Sequence, residues 1–302
     1  MFGRIARDIG QFLMKDETMA FTCVTYNIQY GTGMDGRYDL ERIAGEVRGA
    51  DVIALQEVCR NNPQNGGHDM VAGLAALLPE YFHVYGAPYQ VDMGSAIIDG
   101  KAVSRYFEFG NMILSRGPIL ASRNFLLPRS RSIDVLNLQR GALEAIIGTP
   151  AGPVRFHSVH LDHTSAAERS AQIRWLLRAA LEHRLDGGAA TGLASLGYPE
   201  LPAPEDFVLM GDFNMDPESP EYVILTGPLD PEYGRRTNAR FVRDVSVTAD
   251  GADSWFDPAG HLQPRRLDFC FASAGIAHRF RDARVDSEAT GSDHRPVWVT
   301  MT

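Results

Sequence analysis

The chain has little that would tie it to a membrane or to an oxidising compartment. Its 302 residues include only three cysteines, Cys23, Cys59 and Cys270. An odd number cannot all pair, and no CxxC or Cys/His spacing offers a structural zinc site. No apolar run reaches the roughly 18 residues of a membrane-spanning helix. Residues 1–20 are weakly amphipathic, setting Phe2, Ile5, Ile9, Phe12 and Leu13 against Arg4, Arg7 and Lys15. They lack the continuous apolar core and small-residue cleavage site of a secretory leader. The expectation is a cytoplasmic, monomeric protein with an N-terminal extension over 1–20, read as a short surface helix. Contact with a membrane surface is the minor alternative.

Positive charge is scarce as well. Thirty-eight acidic residues against 29 basic ones leave a net charge of −9. A protein that grips duplex nucleic acid shows a basic footprint, because phosphate contacts supply most of its nonspecific affinity. The charge therefore weighs against long DNA or RNA as partner. Three local clusters at 129–132, 234–243 and 264–268 are still candidates to line one cleft. The rest of the composition, 44% hydrophobic and 22% charged, is that of an ordinary globular protein.

Residues 21–28, "FTCVTYNI", and 51–58, "DVIALQEV", read as buried strands, with a helical apolar stripe at 40, 43, 44 and 47 between them. "HDMVAGLAALLP" is a second helix stopped by Pro79. "YFHVYGAPY" and "FGNMILSR" are strands around a polar loop at 92–105, and two further strands flank a Gly/Pro turn at 148–153. Residues 165–183 form a helix, with Ser165 and Glu168 in the capping-box pattern. A Gly/Ala/Pro-rich insertion near 184–206 precedes three strands: "FVLMGDFN", "RRLDFCFAS" and "PVWVTMT". One unit over 21–302 is the economical reading.

The strands stop in an unusual way. Apolar runs end at Asn27, at Glu57, at His160 and Asp162, and at Asp212 and Asn214; Asp268 lies inside one, and Asp293 and His294 directly precede another. Asp212 and Asn214 share a face of an extended chain, and Gly211 before them permits close backbone approach. Each residue alone reads as a strand cap. Buried carboxylates and amides are costly unless paired or metal-bound, so convergence on one rim accounts for all of them together. Glu57, Asp293 and Asn27 are oxygen donors suited to Mg²⁺ or Mn²⁺. His160 and His294 can contact a phosphate, and Asp212 can take a proton from water that Asn214 orients.

These residues carry a resemblance. "TYNIQYG", "LQEV", "FGNMILSR", "HSVHLDH", "MGDFNMDP", "RRLDFCFAS" and "GSDHRPVWV" occur in the order found in the endonuclease/exonuclease/phosphatase superfamily. The resemblance implies an α/β fold, a four-layer αββα sandwich of two mainly antiparallel sheets with the site between their upper edges. It implies that Asn27 and Glu57 hold a metal ion, that Asp293 is a further ligand, and that His294, oriented by Asp268, stabilises the phosphate. Asp212 and Asn214 resemble the water-activating pair, His160 the second phosphate-contacting histidine, and Asn111 a recurrent polar position. The implied reaction is metal-dependent hydrolysis of a phosphate ester by in-line attack of water.

The substrate is less sharply marked. Gln29 stands where the abasic-site branch has an acid, and the basic motifs of the phosphoinositide phosphatases are missing. A small or lipid-derived phosphodiester is the expectation. Leu126, Leu127 and Pro128, or residues 189–204, are candidate membrane-facing segments, and Arg235, Arg236, Arg240 and Arg243 are candidate substrate-binding cations. The competing readings are a nuclease, a non-catalytic module binding through the same cleft, and a structural protein with polar strand caps.

Overall fold

The alternation of short β-branched and aromatic runs with turn residues produces mostly strands. The computed structural model describes residues 20–149, 152–236, 240–248 and 250–302. The helix expected over the N-terminal extension lies outside the described residues, as does the middle of the turn at 148–153. In chain order the elements begin with β1 (Phe21–Asn27), α1 (Leu40–Val47), β2 (Val52–Arg60), α2 (Met70–Leu77) and β3 (Phe82–Asp92). There follow β4 (Ala96–Ile98), β5 (Lys101–Val103), β6 (Tyr106–Ser115), β7 (Ile119–Leu126), β8 (Gly141–Thr149) and β9 (Gly152–His160). Next come α3 (Ala166–Leu181), α4 (His183–Asp186), β10 (Phe207–Asp212), α5 (Pro220–Thr226), β11 (Leu229–Asp230) and β12 (Gly234–Arg235). The chain closes with β13 (Arg243–Asp244), β14 (Asp268–Ala272), β15 (Phe280–Val285) and β16 (Val297–Met301).

Two six-stranded sheets result, ordered β15-β16-β1-β2-β6-β3 and β13-β14-β10-β9-β8-β7. Each is antiparallel except for one pair, β1/β2 in the first and β9/β10 in the second. A parallel pair needs a crossover, and α1 and α3 lie in those two connections. Both pairs finish in register, Asn27 opposite Gln56 and Asp212 opposite His160.

Strand alternation sorts the side chains into layers. Cys23, Ala54, Ile113, Ala145, Phe156, Met210, Cys270 and Val299 fill the space between the sheets. Their neighbours of opposite parity, among them Val24, Ile53 and Leu55, pack under Ile43 and Val47 of α1 and Met70 and Leu74 of α2. Val159, Leu209, Phe269 and Phe271 pack under Ile173 and Leu176 of α3 and Tyr222 and Leu225 of α5. This is the αββα sandwich, with each large aliphatic side chain contributing about 1.5–3 kcal/mol on burial.

Several local expectations change. The edge strands β7 and β15 were not legible, because exposed polar residues such as Ser122, Asn124, Arg281 and Arg284 interrupt their apolar runs. The polar segment at 92–105 continues the β3–β6 hairpin as β4 and β5, turning at Asp99–Gly100, both with positive φ. The capping box at α3 is half formed. Ser165 accepts from Glu168 N, but the Glu168 carboxylate turns to Ser130 and Asn137. The Ser165 amide instead donates to Asp162 Oδ2 at 2.6 Å, which makes Asp162 a helix-entry residue.

Candidate active site

The parity that buries apolar side chains between the sheets also selects the polar ones at their rim. Asn27 follows Cys23 and Thr25 on β1, and His160 follows Phe156 and Ser158 on β9. Asp212 follows Val208 and Met210 on β10, and Asp268 precedes Cys270 on β14. The core-facing rows thus run out into a cleft of about 800 Å³ lined by Asn27, Glu57, His160, Asp212, Asn214, Asp293 and His294.

Glu57 departs from simple alternation. The pairing of β2 with β6 slips between Leu55 and Val58, and Glu57 takes φ 61° at that bulge. Strand β2 was expected to stop at Glu57 but continues to Arg60, and the bulge re-aims one side chain without ending the strand. A left-handed conformation costs an L-residue roughly 1–2 kcal/mol. Asn214, at φ 50°, tolerates it better. Gly211 is required by packing, since a Cβ there would lie 1.8 Å from the Val159 carbonyl oxygen.

Asp212 is the hub. Its Oδ2 accepts from Asn27 Nδ2 at 3.0 Å and Asn214 Nδ2 at 3.3 Å, and its Oδ1 accepts from the Asn214 amide at 2.9 Å. Burial raises its pKa, against the pull of His294. On the far side, His294 Nδ1 lies 2.7 Å from Asp268 Oδ2, which also accepts from Ser254 Oγ at 2.7 Å. Burial works against the His294 imidazolium, but Asp268 and Asp212 outweigh it and lift its pKa to about 10. This surrounding of carboxylates favours the imidazolium, with Nε2 facing Asp212 Oδ2 at 3.8 Å. Asn27 Nδ2 lies 3.4 Å from the same Nε2, and both are then donors that need a shared acceptor.

Glu57 is half-buried as a residue, yet its Oε2 is sealed from solvent and has no partner. Its Oε1 takes a 3.3 Å hydrogen bond from Asn27. Burial raises its pKa to about 7, with Arg140 and His294 pulling the other way. Asp293 is held by Trp255 Nε1 at 3.2 Å and Ser292 Oγ at 3.2 Å. Among the described residues no three His, Cys, Asp or Glu side chains converge as a closed metal cage. Two carboxylates match Mg²⁺, which keeps waters and shares its ligands with phosphate oxygens, whereas Asn27, expected as a ligand, turns Nδ2 to Glu57 and gives its Oδ1 to the Gln29 amide at 3.2 Å. The orphaned Glu57 oxygen makes the set fit such an ion.

Three expected residues stand elsewhere. Asn111 donates to the Gly141 and Ser158 carbonyls, both at 3.0 Å, tying the first sheet to the second beneath the cleft. Arg235 pairs with Glu218 and the Gly227 carbonyl beside a separate cavity of about 780 Å³, and Arg236 is exposed. Of the three basic clusters only Arg265 reaches the cleft, where Asp216 neutralises it. Sequence reasoning missed Arg140, His163, Ser254 and Trp255. Arg140 had a readable signal: β8 runs antiparallel to β9 with Gly141 opposite His160, so the residue before β8 shares the rim where β9 ends.

The fold and this constellation define the class. The model of the endonuclease/exonuclease/phosphatase family matches residues 24–294, and the chain belongs to that family. Among curated protein sequences none matches it. It is similar in fold to an endonuclease/exonuclease/phosphatase from Beutenbergia cavernae DSM 12333 (TM-score 0.62, 24% identity, 93% of this chain and 71% of the other). It is also similar to the mannosyl-6-phosphatase of Bacteroides thetaiotaomicron VPI-5482 (TM-score 0.56, 19% identity, 93% and 100%). A humanized D. rerio TDP2 matches at TM-score 0.59 and 18% identity over 94% and 99% of the two chains.

Proposed function

We propose that this chain is a divalent-metal-dependent phosphoesterase that favours a phosphodiester with a small or lipid-derived arm. The observation carrying the reading is the meeting, in one cleft, of Asp212 held by Asn27 and Asn214, His294 held by Asp268, and a sealed Glu57 oxygen without a partner. Asp212 takes the proton of the attacking water, and its raised pKa makes it the stronger base. Asn214 orients that water from the same loop. The His294 imidazolium, held by Asp268, donates Nε2–H to a phosphoryl oxygen as charge develops there, with Asn27 as a second donor. A Mg²⁺ or Mn²⁺ ion held by Glu57 and Asp293 would polarise a phosphoryl oxygen and stabilise the leaving oxygen.

The diester and lipid preference draws support from the walls. Tyr89, Met93, Phe107, Phe109, Leu136 and Leu138 make one side of the cleft apolar. The hairpin continuing from Met93 exposes Ile97 and Ile98, and Leu136 is 70% exposed beside the mouth. Of the membrane-facing candidates expected earlier, Leu127 is buried, whereas Leu126 is exposed at the end of edge strand β7 and the segment 189–204 exposes Leu196 and Tyr198. Among the described residues no basic track suited to a polynucleotide lines the cleft.

Hydrolysis of bis(p-nitrophenyl) phosphate and p-nitrophenyl phosphate with Mg²⁺, Mn²⁺ or EDTA tests the proposal, beside Asp212→Ala. Metal-dependent release that the variant loses is expected, with the diester preferred. No release from either ester, together with no metal-induced thermal shift, would point to a binding role instead.

A further inference from the structure

One charged side chain in the cleft has no part in that scheme. Arg140, 4% exposed, lies just before β8. Nη1 is 3.0 Å from His160 Nε2, Nη2 is 2.9 Å from His163 Nδ1, and Nε is buried without a partner. A guanidinium carries five N–H donors and a fixed charge. Among the described residues no carboxylate lies within ion-pair distance of it. The contrast with Arg155, 1% exposed, is direct. Arg155 places Nε on the Pro204 carbonyl, Nη2 on those of Ala180 and Glu205, and Nη1 3.5 Å from Glu144. A buried cation is costly without a counter-charge, and imidazole nitrogens supply none. The guanidinium sits over Phe109 at 6.0 Å, on the apolar side of the cleft.

We propose that Arg140, backed by His163, is an anion subsite that takes a non-bridging phosphoryl oxygen of the substrate beside His160. Where the phosphate enters, its oxygen becomes the counter-charge that the protein itself omits, in a bond of fixed fork geometry. The hydrogen bond to His160 Nε2 also makes that nitrogen an acceptor, so Arg140 sets the tautomer of the histidine as well as the pose of the ester. The subsite rests on the phosphoesterase reading for its role in turnover, but its affinity for phosphate does not depend on hydrolysis.

Titration calorimetry of inorganic phosphate into metal-free protein in EDTA separates the two. Wild type should bind, Arg140→Gln should bind on the order of 30-fold more weakly, and Arg140→Lys should fall between. Asp212→Ala should retain phosphate binding while losing turnover. Arg140→Ala should raise KM for the diester more than it lowers kcat, and free guanidinium should restore part of the loss. A merely structural arginine would show neither that split nor that rescue. Circular dichroism establishes that each variant is folded, and Arg140→Lys serves if the glutamine variant is not. Wild type that takes up no phosphate without metal, or Arg140→Gln that binds it equally well, would overturn the proposal. Turnover surviving in Asp212→Ala would instead sink the hydrolytic scheme and leave the subsite standing.

Discussion

Two buried polar clusters are built on the same pair of strands, β8 and β9, and they are finished differently. On the helix-facing side Glu144 meets Arg123 Nε at 2.8 Å and Arg155 Nη1 at 3.5 Å, with a ring nitrogen of His157 at 3.1 Å and of His183 at 3.7 Å. Burial opposes the Glu144 charge, but His157 and Arg123 outweigh it and hold the carboxyl well below the usual range. On the inter-sheet rim His160, Arg140, Asp212 and Glu57 also crowd together, yet Glu57 Oε2, Arg140 Nε and His160 Nδ1 are left without partners. In the first cluster the charges neutralise one another, and the polar atom left over is a ring nitrogen, His157 Nε2, lying 3.1 Å from Glu144 without a formed hydrogen bond. The second is incomplete, and the missing partners have the chemistry of a cation and an oxyanion. Burial alone does not mark function; charged groups left unmatched where they line one cleft do.

The comparison breaks most readily through the catalytic pair. Asp212→Ala or His294→Ala should lower turnover of the diester by on the order of 10²–10⁴, and Asp212→Ala should do so with the melting temperature unchanged or higher, read by steady-state kinetics and calorimetry on the same preparation. Glu144→Gln should do the reverse. It leaves Arg155 without a counter-charge and Arg123 with Asp186 alone, and should destabilise the fold by about 3–5 kcal/mol in urea, with activity per folded molecule retained. An equal loss of activity and stability in both variants would erase the distinction.

Two smaller effects depend on pH. Burial and then Arg155 depress the pKa of His183 to about 4, below its ordinary 6.5. Its unfolded state therefore binds more protons between those values, and stability present above pH 6.5 should fall as pH drops to 4, by on the order of 2–3 kcal/mol. His183→Gln should flatten that limb of a pH–stability curve. Glu57 has the opposite sign. Its pKa is raised from 4.5 to about 7, so metal-free protein should lose stability as pH rises through that interval. Glu57→Gln should remove that loss, about 1–2 kcal/mol at pH 8, and abolish the Mg²⁺-induced thermal shift. A variant that keeps the shift would remove Glu57 from the metal set.

Much of this arrangement was legible in the sequence because strand parity is a local rule. Asn27, His160, Asp212 and Asp268 sit on the inward parity of runs whose other inward members are apolar. Glu57 was found by its position at a strand end, although the bulge that aims it has no sequence signal. Asn111 shows the limit of parity. It too faces inward, but it lies deeper than the rim, where its amide ties the two sheets. Ser254 and Trp255 were hidden because they come from an aperiodic loop brought to Asp268 and Asp293 by tertiary packing alone. Arg235 misled because charge clustering along a chain says nothing about which neighbours neutralise it, and Arg236 because it says nothing about where a side chain faces.

The most direct measurement is made on Asp212→Asn, which preserves the shape of the hub residue and removes its charge. Turnover of bis(p-nitrophenyl) phosphate with Mg²⁺ and the urea midpoint should be read on one sample. The account predicts turnover lowered by on the order of 10²–10⁴ with a midpoint equal to or above that of wild type. Wild-type turnover in the folded variant would contradict the assignment of this cleft as the hydrolytic site.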